Sequence, residues 1–495
     1  MDHCSSDARK PLLRLVLLTA IAFFIQGYHP YAEDAEIYLP GVEKILHPEL
    51  FQVGREFFAA HASMTLFPNL IAFSIRATHL PMEVGLFLWQ VLGIFLLLLA
   101  CWELASLFFP SPRARWGAVC MVGALLTLPV AGTALYIMDQ YLNPRNLAAF
   151  AGVFMLVRTL EKKYLRALFW LAFAVCMHPL MWVFPFSFCI LFLVMEKWRI
   201  LSEGAEALSA AASALMWMGI AFAPNATSAY HEAAKRHAFH YIQKWAWYEL
   251  VGAVAPLVLF WWFARIARGR EWRAAERVSR AFVLYGLIYL LGALVVDLPA
   301  RLEAFARIQP MRSLHSLYIV MFVMIGGLLG EYVLRAHLWR WLVLFVSLGA
   351  GMFLAQRSLF AASAHVEWPG AAARNPWAQG FAWIRDNTPV DAVFAIDPYY
   401  MDIAGEDEVG FRCLAERSRL ADGVKDNGVV SMFPPLAEDW WGQVQDQSPW
   451  KSFGLRDFSR LKEKYGVNWI VVQQGQGGAL DCAYQNAAVR VCRLP

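Results

Sequence analysis

Long apolar stretches recur along the first 355 residues, and they limit the folds open to this chain more than any other feature. A helix needs about 20 predominantly apolar residues to cross the hydrocarbon core of a membrane. Of the 495 residues, 59% are hydrophobic and 17% are charged, whereas a soluble domain carries about 25% charged residues. The sequence therefore predicts a mainly α-helical, polytopic transmembrane bundle. We predict eleven spans, at residues 12–28, 82–109, 115–138, 145–160, 165–178, 180–196, 205–223, 246–266, 279–297, 309–330 and 338–355.

The Lys and Arg residues between these spans are concentrated in alternate connections, which lie on one side of the membrane. They concentrate in six alternate connections, at residues 9–10, 113–115, 162–166, 197–199, 265–280 and 335–340. By the positive-inside rule these connections are cytoplasmic. The bias predicts a cytoplasmic N-terminus and a C-terminal region outside the membrane. It also explains the dense Arg run at 265–280, so the sequence predicts no nucleic-acid partner.

Three segments of the bundle have alternative interpretations. Residues 57–80 are apolar enough for a further span, but a span there would invert every later connection, so we interpret them as interfacial or re-entrant helices on the outer face. Basic residues precede the first apolar helix, as in a signal peptide, but no small-residue cleavage site follows it, which favours an uncleaved anchor. The short spans at 165–196 could instead form one kinked helix.

The composition changes near residue 356, where polar and turn-rich sequence replaces the apolar stretches. Helical patterns at 377–387 and 457–465 alternate with buried-strand patterns at 392–396 and 469–472. We therefore predict two domains. Residues 1–355 form the transmembrane domain, with an acidic first outer loop at 29–81, and residues 356–495 form a small C-terminal extramembrane α/β domain.

Two cysteines in the predicted outer domain are disulfide candidates. Cys482 and Cys492 flank a possible hairpin, and a compartment outside the membrane permits disulfides. Cys413 lies in the same domain, so one of the three cysteines would remain unpaired, and the sequence leaves open which one.

A cluster of carboxylates follows the first apolar helix directly. Glu33, Asp34 and Glu36 lie within four positions, with His29 beside them. Carboxylates at a membrane surface are costly unless water, a metal or a basic substrate meets them. A solvated loop is one interpretation. The other is a catalytic site, because Asp139 occupies the same kind of position after the third span.

Two carboxylates from separate outer loops can meet over a shared cavity. Asp34 or Glu33 would then act as general base towards an acceptor hydroxyl, with Asp139 as its partner. Alternatively Asp34 and Asp139 would both bind a metal, and oxygen ligands of this kind suit Mg²⁺ or Mn²⁺. His29 and Glu36 would support either arrangement.

Cationic side chains are predicted on the same outer face. Arg312 and His315 begin the tenth span, and Arg145 lies close to Asp139. A guanidinium fork matches phosphate geometry, so these residues are candidates for binding a lipid-linked phosphate. The alternative is that they reach out to the membrane interface or pair with nearby acids. Nucleotide-binding glycine patterns and a nucleophile elbow are not found, so an enzyme on this face would need an activated substrate delivered through the lipid.

The layout resembles that of the GT-C fold glycosyltransferases, which include protein O-mannosyltransferases and the oligosaccharyltransferase catalytic subunit. The shared features are an uncleaved first helix, an acidic first outer loop, an acidic residue after the third span and a terminal outer α/β domain. The segments Trp383–Pro389 and Lys464–Val472 are similar to segments of uncharacterised bacterial members. The resemblance implies a cell-envelope enzyme of the bacterial inner (plasma) membrane whose C-terminal domain is periplasmic or extracellular.

In function, the resemblance implies transfer of a sugar from a polyprenyl-phosphate donor to an acceptor on the outer face. The expected partners are this lipid-linked donor, membrane lipids and an acceptor that the sequence does not identify. Asp34 would match the catalytic acid of the first loop, with Glu33 as its competitor. Asp139 would match the second acidic residue, and Arg312 would match the residue that holds the donor phosphate. A Trp-Trp-Asp acceptor motif is not found, because Trp440-Trp441 follows Asp439 instead.

Two other functions remain open from the sequence. A membrane transporter or lipid flippase would be expected to show ionisable residues at mid-membrane and inverted repeats, and the sequence shows no repeat. A non-catalytic envelope assembly protein would use the outer domain to bind a partner. The enzyme interpretation requires that Asp34, Asp139 and Arg312 converge on one outer cavity.

Overall fold

The structure is a computed structural model that describes residues 3–197, 227–297, 308–476 and 480–495. The described chain is mainly helical up to residue 359, and a small mixed sheet lies beyond. In the helical part the α-helices are α1 (His3–Gln26), α2 (Ala35–Leu46), α3 (Glu56–Ala62), α4 (Phe67–Thr78), α5 (Met82–Phe108), α6 (Pro112–Ala124), α7 (Pro144–Leu160), α8 (Tyr164–Met177), α9 (Val183–Lys197), α10 (Ser228–Lys235), α11 (Trp247–Gly269), α12 (Arg273–Asp297), α13 (Leu314–Leu329) and α14 (Leu338–Leu359).

Among the described residues, five helices are long and apolar enough to cross a membrane. They are α5, α11, the Arg273–Val295 part of α12, the Pro310–Leu334 segment that contains α13, and α14. Helices α3 and α4 meet at 87° and together form either a broken sixth span or a re-entrant loop. We expect the second alternative, because a span at residues 57–80 would invert the charge bias of every later connection.

The expectation of eleven spans is therefore not supported. The predicted span 115–138 shows why, because its helix α6 ends at Ala124 after 13 residues. At 1.5 Å per residue such a helix is about 20 Å long, short of the roughly 30 Å of the hydrocarbon core. The other predicted spans that fall short are α1, whose apolar part is Pro11–Gln26, α7, α8 and α9. The predicted span at 205–223 lies outside the described residues.

Helix α7 illustrates a second reason why hydropathy overcounts spans. Of its 17 residues 15 are buried, whereas α14 is only 11% buried over its most apolar window. A helix that is hydrophobic all round is either lipid-facing or enclosed by protein, and composition alone does not distinguish them. The apolar sequence of α7 packs against protein.

Glycines bring α6 and α13 into close contact. A Cβ atom placed on Gly117 would lie 2.3 Å from the carbonyl oxygen of Gly326, and one on Gly326 would lie 2.3 Å from that of Gly117. Small residues of this kind permit near backbone contact between helices in a membrane. This crossing fixes the position of α13 against α6.

The C-terminal region contains a five-stranded sheet with helices on both faces. The strand order is β2-β1-β3-β5-β4, parallel from β2 to β3 and antiparallel from β3 to β4. The strands are β1 (Val393–Ile396), β2 (Ser418–Arg419), β3 (Trp469–Gln473), β4 (Cys482–Gln485) and β5 (Val489–Arg493). The helices are α15 (Pro376–Asn387), α16 (Phe411–Ala415), α17 (Asp426–Met432), α18 (Ala437–Asp446) and α19 (Leu455–Tyr465).

The predicted elements of this region lie within one or two residues of the observed ones. The register places Ala395 opposite Ile470 and Ile470 opposite Cys492, so the two predicted buried strands are direct neighbours. Cys482 faces Cys492 across the β4–β5 pair, and the two form a disulfide. Cys413 is a free, buried thiol.

The first loop after α1 is hydrogen-bonded into the C-terminal region. The N–H of Glu33 donates to the carbonyl of Glu408 at 2.8 Å, and the N–H of Gly410 donates to the carbonyl of Tyr31 at 2.7 Å. Ala32 and Val409 form an antiparallel bridge at the same place. The acidic loop is therefore held between the bundle and the sheet region.

Candidate functional site

A cavity of about 450 Å³ lies where the first loop meets the start of α7, the residues before α13 and the segment 424–432 of the C-terminal region. We call it the central cavity. Most of its polar lining is ionisable. The polar and ionisable residues that line it are Glu33, Asp34, Tyr38, His61, Arg145, His178, Arg236, His237, His240, Gln309, Arg312, Asp402, Lys425, Asn427 and Ser431.

Arg145 joins the two carboxylates that the sequence suggested would meet. Its Nη1 donates to Oδ2 of Asp34 at 2.7 Å, and its Nη2 donates to Oδ2 of Asp139 at 3.1 Å. Its Nε also donates to Asp139, and Nη2 donates to the hydroxyl of Tyr141. Asp34 lines the cavity, whereas Asp139 lies behind Arg145 and is not part of the lining. Of the three residues that we predict to converge, Asp34 and Arg312 line the cavity themselves. Asp139 reaches it only through its contact with Arg145.

The loop that carries Asp139 is fixed by the start of α7. Asn143 is the N-cap of this helix, since its side chain accepts the N–H of Asn146, and Pro144 occupies the first turn. Asn143 also donates to Oδ2 of Asp139 at 2.5 Å. The carbonyl of Asp139 accepts from Gln90 at 2.8 Å. Capping of this kind fixes the direction of a helix start, so Arg145 on the first turn has a set orientation.

Glu33 occupies a strained and half-buried position at the cavity edge. Its φ is 54°, in the left-handed region that is unfavourable for residues with a Cβ. Lys425 Nζ lies 4.0 Å from Glu33 and donates to Glu408 at 2.9 Å. Burial and the charge of Glu408 raise the pKa of Glu33 to about 8, although Lys425 acts in the opposite direction. Glu33 is therefore protonated near neutral pH more readily than an ordinary carboxyl group.

Asp34 has the opposite electrostatics. Burial alone would raise its pKa, but the positive charges of Arg145 and Lys425 hold the pKa well below its usual range. Lys425 Nζ lies 3.7 Å from Oδ1, so each oxygen of Asp34 faces a cation. Asp34 therefore remains ionised throughout the physiological pH range.

Arg312 is the cation of the cavity that is available to a ligand. Among the described residues no carboxylate lies within ion-pairing distance of it, and its Nε has no hydrogen-bond partner. The ring of Phe239 lies 6.0 Å from its guanidinium carbon. Gln309, whose φ is 52°, begins the short turn that carries Arg312 into the cavity.

Four histidines line the cavity, although the sequence gave little reason to select them. His61 is only 7% exposed, and neither of its ring nitrogens has a hydrogen-bond partner among the residues that the structure describes. His178 is used locally, because its Nδ1 accepts the N–H groups of Leu180 and Met181 at 3.1 Å. His237 and His240 stack with their centroids 5.1 Å apart. A buried imidazole without a partner, such as His61, has unfilled hydrogen-bonding capacity directed at a ligand.

Two histidines among the proposed site residues lie outside the cavity lining, as Asp139 does. His315 is buried, and its Nε2 lies 3.1 Å from the carbonyl oxygen of Ile137. His29 lies 2.9 Å from Glu367 and stacks on Phe360. The position of His315 differs from the expected contact with a donor phosphate. The sequence suggests only a supporting role for His29, and both residues contact the loops that approach the cavity.

Glu36 forms part of a buried ion network that joins α2 to the C-terminal region. Its Oε2 accepts the backbone N–H of Arg412 at 2.6 Å, and its Oε1 lies 3.6 Å from Arg419. Arg412 also donates to both oxygens of Asp426, at 2.8 and 2.7 Å. Burial raises the pKa of Glu36 to about 7, against the lowering effect of the two arginines. The sequence suggests a supporting role for Glu36, and its side chain lies outside the cavity lining.

The geometry does not fit the expected metal site. Within the part of the chain that the structure describes, no three His, Cys, Asp or Glu side chains are grouped to hold a metal ion. Asp34 and Asp139, the two candidate ligands, are separated by the guanidinium of Arg145. The donor set is therefore already occupied by a cation of the protein.

Sequence reasoning missed the contribution of the C-terminal region to the cavity. Lys425 and Asn427 lie in the turn-rich stretch Asp422–Gly428, which carries no periodic pattern. Arg236, the other overlooked cation, donates to Asp402 at 3.1 Å and stacks on Tyr399. A lysine flanked by two Asp residues in a turn was the available signal, and it is too common to identify a site.

Comparison of the sequence with models of known families and with curated proteins gave no match. Among solved structures, the archaeal oligosaccharyltransferase AglB from Archaeoglobus fulgidus, in complex with an inhibitory peptide and a dolichol-phosphate, is 11% identical with a TM-score of 0.48. That match covers 94% of this chain and 70% of the enzyme. The oligosaccharyltransferase of the same organism in complex with Zn and sulfate is 11% identical with a TM-score of 0.48. That match covers 93% of this chain and 67% of the other. The apo form of that enzyme is 12% identical with a TM-score of 0.39, and the match covers 93% of this chain and 69% of the other. Similarity of this degree assigns the chain to no family.

Proposed function

We propose that this chain is an integral membrane glycosyltransferase of GT-C type, which moves a sugar from a polyprenyl-phosphate donor to an acceptor on the outer face of the membrane. The observation that carries the proposal is the central cavity, where the carboxylates of Glu33 and Asp34 share one space with Arg312, a cation that pairs with no carboxylate of the described residues. The cavity lies beside helices that are apolar enough to cross a membrane. A lipid carrier can therefore remain in the bilayer while its phosphate reaches the site.

Arg312 and Lys425 are the groups that we assign to the donor phosphate. A guanidinium provides paired N–H donors to phosphate oxygens, and a nearby ammonium adds a point charge. Arg145 is assigned a different role, because four of its hydrogen bonds are made to Asp34, Asp139 and Tyr141. It fixes the carboxylates instead of binding the donor.

Glu33 is the group that we assign as general base. Efficient proton transfer requires a base whose pKa lies near the working pH, and the pKa of Glu33 is raised to about 8. The acceptor hydroxyl gives its proton to Glu33 as its oxygen forms a bond to the anomeric carbon. The bond from that carbon to the phosphate oxygen breaks, and its electron pair leaves with the polyprenyl phosphate. A single in-line displacement of this kind inverts the anomeric centre.

Asp34 and Asp139 are assigned to positioning and electrostatic stabilisation. Asp34 stays ionised beside the place where positive charge develops on the sugar ring in the transition state. Asp139 holds Arg145, and through it Asp34. Residues 356–495 would form the outer domain that supplies Lys425, with the N-terminus of the chain in the cytoplasm.

The test is transfer of labelled sugar from a panel of polyprenyl-phosphate donors by the full chain in lipid nanodiscs. Wild type should release polyprenyl phosphate, and Glu33→Gln should not. Glu438→Gln, an exposed carboxylate on α18, is the matched control and should behave as wild type. Equal release by wild type and Glu33→Gln would contradict the assignment. If folded wild type released nothing with any donor, the proposed reaction would be wrong.

A further inference from the structure

The expected metal position is filled by protein cations. Oxygen ligands from two loops are the usual way to hold Mg²⁺ or Mn²⁺ beside a phosphate. Here the guanidinium of Arg145 lies between those ligands, 2.7 Å from Asp34 and 3.1 Å from Asp139.

Three of the four oxygens of these carboxylates already face donors of the protein. Oδ2 of Asp34 accepts from Arg145, and its Oδ1 faces Lys425 at 3.7 Å. Oδ2 of Asp139 accepts from Asn143 at 2.5 Å as well as from Arg145. Mg²⁺ demands near-octahedral geometry at about 2.1 Å. A divalent ion would have to displace Arg145 and then lie beside two further cations.

Arg145 is held too firmly to move aside. Its side chain is 9% exposed, and Nε and Nη2 both donate to Asp139. The hydroxyl of Tyr141 accepts a further bond at 3.2 Å. These contacts use four of the five N–H groups of a guanidinium, and the remaining one belongs to Nη1, the atom beside Asp34. The helix start that carries Arg145 is itself capped by Asn143.

We infer that this site works without a divalent cation, with the side chains of Arg145 and Lys425 in its place. Together the two carry the charge of one divalent ion, and each faces a different oxygen of Asp34. In the described part of the chain no acceptor meets the second N–H of Nη1, so this group can donate to a substrate oxygen next to Asp34. The inference rests on the proposed function for its catalytic meaning, whereas the claim about metal binding stands on the contacts alone.

Binding of Mn²⁺ tests the inference without any turnover. Full chain in nanodiscs is titrated with Mn²⁺ and the free ion is followed by electron paramagnetic resonance, with and without polyprenyl phosphate, because a phosphate can complete a metal's coordination. Wild type should show no saturable site. Arg145→Ala should gain one site per chain, because two carboxylates are released, and Asp34→Asn added to Arg145→Ala should remove it. Arg145→Lys keeps the charge and should gain none.

A saturable Mn²⁺ site in wild type that Asp34→Asn or Asp139→Asn abolishes would overturn the inference. The wild-type titration is decisive even if Arg145→Ala does not fold. A separate arm measures transfer after EDTA treatment, with metal content determined by mass spectrometry. Transfer that is unchanged by EDTA supports the inference, and transfer restored only by a divalent ion overturns it. If wild type showed neither Mn²⁺ binding nor transfer, the proposed function would be refuted. The claim that the site binds no divalent ion would be supported.

Discussion

Glu36 and Arg412 lie 376 positions apart in the chain, and the backbone N–H of Arg412 donates to the carboxylate of Glu36 at 2.6 Å. Both side chains are almost fully buried, at 0% and 1% exposed. Glu36 follows Asp34 by two residues at the start of α2. A contact made outside the cavity therefore helps to hold the first loop and its carboxylates in place.

Loss of Arg412 is expected to separate the C-terminal region from the bundle. Arg412→Ala would leave Glu36 and Asp426 buried without their main cation, and breaking a buried ion pair by removing one partner costs about 3–5 kcal/mol. The melting temperature should fall, and limited proteolysis should release the C-terminal region. Arg456→Ala, an exposed arginine on α19, is the control. A melting temperature for Arg412→Ala equal to that of the control would show that the network contributes nothing.

The two adjacent carboxylates should differ in how they affect transfer. Glu33→Gln removes the general base and should lower kcat by about 10²–10⁴-fold. Asp34→Asn keeps the side chain's shape and loses a hydrogen bond to a charged group, so its kcat should fall by only about 10–100-fold. Steady-state kinetics of both variants make the comparison. A larger loss for Asp34→Asn than for Glu33→Gln would exchange the two roles.

Transfer should increase with pH through the titration of Glu33. Burial and Glu408 raise the pKa of Glu33 to about 8 from the usual 4.5. Below that pH the carboxyl is protonated in the folded protein and cannot accept a proton, so kcat/KM should rise as pH approaches 8 and then level off. Glu33→Gln should abolish this step. A flat profile for wild type between pH 6 and about 9 would exclude Glu33 as the titrating base.

Arg312 should affect donor binding more than turnover. Arg312→Ala removes a charged hydrogen-bond donor, whose loss costs about 1.5–3 kcal/mol, so the KM for the donor should rise about 10–100-fold. Arg312→Lys keeps the charge without the planar fork and should show a smaller increase. A donor KM unaltered in Arg312→Ala would remove this residue from the phosphate site.

The disulfide between Cys482 and Cys492 offers a test of both stability and orientation. The two residues are 10 positions apart, and closing a loop of this length stabilises a fold by about 2–3 kcal/mol. Cys482→Ser combined with Cys492→Ser should lower the melting temperature and make it insensitive to reductant. In intact cells, a membrane-impermeant maleimide should label wild type at these positions only after reduction. Failure to label reduced wild type would place the C-terminal region inside.

Local sequence patterns predicted the C-terminal elements because their packing follows local rules. The amphipathic pattern at 377–387 became α15, and the continuous apolar run at 469–472 became β3. The same reasoning overcounted spans, because α6 ends at Ala124, where the chain leaves the helix to carry Asp139 towards the cavity. Whether an apolar helix faces lipid or protein depends on contacts that are distant in the sequence.

The residues of the site were predictable only where a local sequence pattern marked them. Glu33 and Asp34 stand out locally, and Arg312 begins an apolar helix. That Arg145 would bridge two carboxylates, and that Lys425 would face the first loop, depends on long-range pairing that no spacing encodes. His61, on a helix that bends sharply into the next, carried no pattern at all.

The order in which the cavity walls are synthesised has a consequence for the life of the protein. Every long apolar helix that the structure describes, together with Glu33, Asp34, Asp139 and Arg312, precedes residue 360, yet the wall at residues 424–432 comes later. A chain halted between these points would hold the acidic loop without Lys425 or the Glu36–Arg412 contact. During biogenesis the central cavity would therefore be complete only when the end of the chain has folded back onto its beginning.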